Sequence, residues 1–109
     1  MSNVTAKQIL EAALELIRPQ GAWSRDQPRV LVDGLIVQRD LYTAIYDAAG
    51  QFGYLHGTDE YEHAIALAYG ETGGKGLTVY NRLPDVTHAH IFALLERAIV
   101  VAAKDPVAS

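Results

Sequence analysis

The C-terminal stretch Leu77-Thr-Val-Tyr-Asn-Arg-Leu-Pro-Asp-Val-Thr-His-Ala-His-Ile-Phe-Ala-Leu-Leu-Glu-Arg-Ala-Ile-Val-Val-Ala-Ala-Lys104 decides the fold. It reads as a tight, extended approach over Leu77–Tyr80, a turn at Leu83-Pro84-Asp85, a capping Thr87 and a strongly apolar helix. Ala98 to Ala103 is apolar on every side. Such a helix is either central in a core or covered by a partner subunit. Ile99, Val100 and Val101 are therefore the expected contact of a homo-oligomer. Lys104 suits the negative end of the helix, and Asp105-Pro106 stops it.

Upstream, three more helices are predicted. Thr5-Ala-Lys-Gln8 is a capping box, and the stripe Ile9, Ala13, Leu16 and Ile17 runs to the stop at Arg18-Pro19. A second helix starts at Arg39 or Asp40, buries Leu41, Ala44, Ile45 and Ala48, and ends at Gly50 as a left-handed cap. Tyr42 and Tyr46 share a face of it, as core-edge residues or as a paired aromatic surface. Thr58 caps a third helix, with Asp59, Glu60 and Glu62 in its first turn. Its buried face is Tyr61, Ala64, Ile65, Ala68 and Tyr69. Between the first two helices, Asp33-Gly34 separates short β-branched runs and predicts a β-hairpin over residues 30–37. An apolar lead-in to the second helix is the alternative. The fold class is mainly α: one four-helix domain, 1–109, with a short hairpin and frayed ends at 1–4 and 105–109.

Composition narrows function. The 109 residues carry 13 acidic and 9 basic side chains, a net charge of -4, and the basic residues are dispersed. No nucleic-acid footprint or anionic-membrane anchor is expected. No run is long and apolar enough for a membrane span, and no signal peptide is visible. The lack of cysteine removes thiol chemistry and Cys-type zinc sites and fits a cytoplasmic protein.

Chemical motifs fail on spacing. In Gly70-Glu-Thr-Gly-Gly-Lys-Gly76 the Lys comes one residue early for a phosphate loop, Gly76 replaces the magnesium-binding hydroxyl, and the preceding segment is a helix. A flexible loop is expected there. His88 and His90 point to different faces of one helix. Asp59, His63 and the upstream His56 lack the further ligand that zinc needs. No serine sits in a nucleophile elbow. Neither cofactor, metal nor catalytic residue is assigned. Trp23, alone in the loop after the first helix, reads as a lid on the core or as a stacking surface for a ligand.

The segment Tyr80–Ile99 resembles a family of small uncharacterised bacterial and phage proteins. That family has an aromatic-Asn pair, a Pro or Gly turn, a capping Thr and a helix of this type. Ile9–Ile17 leading to Gly21-Ala22-Trp23, and Leu41–Gly50, are similar to it as well. This chain departs from the pattern at Tyr80, where Trp is usual, at Arg82, where an acid is usual, and near Asp40, where Cys is frequent. The family has no assigned function, so the resemblance implies a fold and an accessory role only. Two functions follow as expectations. One is a non-catalytic protein-interaction domain with an unidentified protein partner. The other is a ligand binder or small enzyme with a pocket at Trp23, Tyr80 and Asn81. Convergence of Trp23 and Asn81 beside an open pocket would favour the binder; an Asn81 that only braces a turn would weigh against it.

Overall fold

The structure, a computed structural model, describes residues 4–54 and 58–109. Residues 1–3 of the expected frayed start at 1–4, residues 55–57 of the connector expected over 51–57, and with them the candidate ligand His56, lie outside the described residues; Gln51 belongs to α2 instead of the connector. In chain order the elements are α1 (Ala6–Ile17), β1 (Arg29–Val32), β2 (Leu35–Arg39), α2 (Leu41–Gln51), α3 (Asp59–Gly70), α4 (Leu77–Asn81) and α5 (His88–Lys104).

The described residues thus hold five helices where four were expected. The extra one is α4, which replaces the extended approach. Gly76 has an extended backbone, and Tyr80 then donates its N–H to the Gly76 carbonyl at 2.8 Å. That single turn swings Asn81 inward.

Local capping works as the sequence suggests. Gln8 donates its N–H to the Thr5 hydroxyl while the Thr5 N–H is accepted by Gln8 Oε1 at 2.9 Å. Asp40 accepts the Thr43 N–H at 2.8 Å at the start of α2. In α5 the reciprocal half of the box is made by His90, whose Nδ1 accepts the Thr87 N–H at 2.9 Å. Two details differ from expectation. Gly50 stays inside α2, and Gly53 takes the left-handed φ of 81° after it. Tyr69 lies exposed rather than on the buried face of α3, and its hydroxyl reaches the Gly74 carbonyl.

α1 sits centrally and packs against α2, α3 and α5. Nearly half of the buried apolar residues are alanines, among them Ala13, Ala48, Ala64 and Ala98. Small side chains let helix axes approach closely. Larger residues such as Leu10, Ile45, Ile91 and Leu94 fill the space between. The first turn of α1 meets the stretch after α5, where Lys7 donates its N–H to the Ala108 carbonyl at 2.8 Å.

The hairpin is present and longer than expected. Asp33 at φ 52° and Gly34 at φ 80° make the turn. Val32 pairs with Leu35 and Leu31 with Ile36, and a bulge leaves Val37 as the extra residue before Gln38 pairs with Val30. A two-stranded ribbon is marginal alone in water, and this one is anchored at its base. Arg39 N–H donates to the Ala22 carbonyl and the Arg39 carbonyl accepts from Ser24, both at 2.9 Å. Asp47 of α2 accepts from both Arg29 and Arg39, the latter at 2.8 Å. Burial pushes the Asp47 carboxyl up, but these two guanidinium groups outweigh it and hold its pKa below the ordinary carboxylate range.

Two outcomes follow. Ala98→Leu should overpack the α1–α5 contact and lose about 1–3 kcal/mol of stability in urea denaturation. The depressed pKa of Asp47 means that its contribution is complete above the unfolded carboxylate pKa, about 3.9, and is lost as pH falls through the lower folded value. Asp47→Asn should therefore flatten the acid limb of a stability-against-pH profile, and an unchanged limb would refute the assignment.

Candidate functional site

The residues singled out at Trp23 and Asn81 come together. Asn81, at the end of α4, has 0% of its surface exposed. A carboxamide can accept two hydrogen bonds and donate two. Here Oδ1 accepts from Trp23 Nε1 at 2.6 Å and from the Leu41 N–H at 3.1 Å. Nδ2 donates to the Ser24 and Arg25 carbonyls, each at 3.0 Å. All four places are occupied by the protein. Leu41 is the first residue of α2, so its N–H has no partner within the helix; Asn81 supplies one.

Around this amide the loop after α1 is clamped to the turn before α5. Arg25 donates to the Leu83 carbonyl and, at 2.6 Å, to the Val86 carbonyl. Its guanidinium lies 5.1 Å from the Trp23 ring centre. The Trp23 ring also stacks on His88, with centroids 6.3 Å apart and planes 20° from parallel. His88 Nε2 reaches the Ile17 carbonyl at the end of α1. A carbonyl can only accept, so this nitrogen carries the proton. Trp23 itself is half-buried and packs on the core, as does Tyr80.

Arg25 and His88 were not assigned to the site from sequence. Both act on backbone carbonyls brought near by the fold, and no residue pattern marks such partners. The only local signal is that Arg25 lies two residues after Trp23.

The other candidates lie elsewhere. Ile99 is half-buried against the core, while Val100 and Val101 are 53% and 42% exposed. His63 pairs with Asp105 at 3.3 Å rather than with Asp59. Among the described residues no group of three His, Asp or Glu side chains is placed to hold a metal ion. Tyr42 and Tyr46 stack with centroids 6.4 Å apart. Tyr61 bonds the Tyr42 hydroxyl at 2.7 Å; burial, then this bond, raises the Tyr61 pKa. Thr72, in the glycine-rich loop, is buried, and its hydroxyl bridges the Tyr69 and Lys75 carbonyls. Among the described residues no helix is long and apolar enough to cross a membrane.

Chemically, the Trp23–Asn81 cluster is a set of closed hydrogen bonds. Among the described residues no fully buried side-chain nitrogen or oxygen lacks a partner. Asn81→Ala should strand Trp23 Nε1, the Leu41 N–H and two carbonyls, and cost roughly 2–4 kcal/mol. Trp23→Phe, which removes one of those bonds, should cost less. Equal stabilities of wild type and Asn81→Ala in urea denaturation would show that the cluster is not a brace.

No curated protein and no solved structure matches the chain. A family model described as "Family of unknown function (DUF6197)" matches residues 1–101. The match spans α1 through most of α5 and takes in every residue of the Trp23–Asn81 cluster, so the chain belongs to that family.

Proposed function

We propose that the chain is a non-catalytic protein-interaction domain, an accessory protein of the cytoplasm whose bacterial or phage origin is suggested by its sequence resemblance. The observation that carries this reading is the ribbon β1–β2. Leu31, Val32, Leu35, Ile36 and Val37 are between 37% and 70% exposed. Side chains alternate across a strand, so the pair Val32–Leu35 lies on one face and Leu31–Ile36 on the other. Both faces of the ribbon are apolar. Contiguous exposed apolar surface of this kind marks interaction sites.

Its burial contributes on the same scale as the cost of association. The five exposed fractions add to about two and a half whole side chains. At roughly 1.5–3 kcal/mol per fully buried Val, Leu or Ile, covering them contributes roughly 4–8 kcal/mol. That reaches the lower part of the association cost of about 4–15 kcal/mol. Val100 and Val101 add a second apolar patch on α5, the one singled out from sequence for oligomer contact.

A ligand pocket at Trp23, Tyr80 and Asn81 is the weaker alternative, because the Asn81 side chain has no hydrogen-bonding position left for a ligand.

The double variant Leu31→Lys, Leu35→Lys tests the proposal. Both side chains are exposed, so the fold and its melting temperature should change little. Proteins, or copies of the chain itself, that the wild type retains on affinity beads should be lost from the variant. Identical capture by a folded variant would remove the ribbon as the binding element.

A further inference from the structure

We propose that a hollow at the base of the ribbon binds a small aromatic monoacid whose ring carries a hydroxyl. The site is separate from the Trp23–Asn81 cluster and does not depend on the ribbon's apolar faces.

The hollow, of 330 Å³, lies where the base of β1, the start of α2 and the end of α4 converge; Arg29, Asp40, Tyr42, Thr43, Tyr46 and Arg82 line it. Two of these residues are almost fully buried, Asp40 with 3% and Thr43 with 4% of its surface exposed. Asp40 Oδ1 accepts the Thr43 N–H and so caps α2. The second carboxylate oxygen, Oδ2, has no hydrogen-bond partner among the described residues, and neither has the Thr43 hydroxyl. A threonine within a helix can turn its hydroxyl back to the carbonyl four residues earlier; Thr43 does not. Among the described residues no fully buried side-chain oxygen lacks a partner. Both oxygens therefore reach the surface, and the surface these residues line is the hollow. A carboxylate oxygen only accepts, while a hydroxyl can also donate. One ligand hydroxyl matches the pair, donating to Asp40 and accepting from Thr43.

The charges select the rest of the ligand. Arg29 and Arg39 are balanced by Asp47, which binds both, and by Asp40, whose charge acts on Arg29 from nearby. Arg82 is left over. It is exposed, has no ion pair among the described residues and makes one long bond, 3.4 Å, to the Asp26 carbonyl. One surplus positive charge at the rim calls for one negative charge on the ligand, and a guanidinium receives a carboxylate through two parallel hydrogen bonds. A ligand ammonium at Asp40 would meet the Arg29 charge and is disfavoured.

The walls call for a ring. Tyr42 and Tyr46 stand one turn apart on α2 with ring centroids 6.4 Å apart, and the Arg29 guanidinium lies 5.9 Å from the Tyr46 centroid. Aromatic faces and a planar guanidinium favour a flat aromatic partner. The volume is near the lower end of small-molecule sites, about 300 Å³, which suits one ring with its acid group.

Titration of the isotope-labelled chain with para-hydroxyphenylacetate, followed by amide NMR, tests the site. The resonances of Tyr42, Thr43 and Arg82 should move first. Phenylacetate, which lacks the hydroxyl, and tyramine, which carries an ammonium in place of the acid, should each bind about tenfold more weakly. Thr43→Val removes a hydroxyl that bonds nothing in the protein, so the melting temperature should hold while affinity for para-hydroxyphenylacetate falls about tenfold. Arg82→Gln, at an exposed position, should do the same. Millimolar para-hydroxyphenylacetate that moves no resonance around the hollow would overturn the proposal. So would phenylacetate or tyramine binding as tightly, or a Thr43→Val variant that melts lower, which would give the hydroxyl an internal partner.

Discussion

The fold depends on one buried carboxamide. From the end of α4, the Asn81 side chain ties the loop after α1 to the first turn of α2 in a single set of hydrogen bonds. A buried polar group is costly unless every donor and acceptor is matched. That condition makes the arrangement specific. The loop carrying Trp23 must pass where its indole N–H and the carbonyls of Ser24 and Arg25 meet the amide. The start of α2 must present Leu41. Helix packing through alanines would tolerate some sliding; the amide does not.

The ribbon is held by a different kind of bond. It leans on the domain through its base alone, by backbone pairing with residues 22–24 and by the two guanidinium groups on Asp47. Since polar contacts do the anchoring, the apolar residues from Leu31 to Val37 are left outside the core. The domain and its interaction element are separable in chemistry: alanine, leucine and isoleucine make the first, charge and backbone hydrogen bonds attach the second.

Much of the helical part was legible in the sequence because its signals are local. Thr5 with Gln8, Asp40, and Thr87 mark helix starts through contacts three residues long. The stripes of α1 and α2 follow the helix period. Asp33-Gly34 marked the hairpin for the same reason. α4 was not legible, since five residues span little more than one turn and show no period. Gly50 was misassigned as a cap because the choice between it and Gly53 depends on how far the core extends α2. The site was half legible. The lone Trp23 and the Tyr80-Asn81 pair stood out, but Arg25 and His88 act on carbonyls that only tertiary structure brings near. The exposure of the ribbon was also hidden: apolar runs without alternation read as buried strands, and nothing local says that no layer covers them.

The turn Asp33-Gly34 has a further consequence, because it projects from the far end of a ribbon that the core does not enclose. A break or an insertion there falls where few contacts cross, so it leaves every helix contact and the Asn81 cluster whole. The same geometry lets a guest domain enter at residues 33–34 without parting the helices.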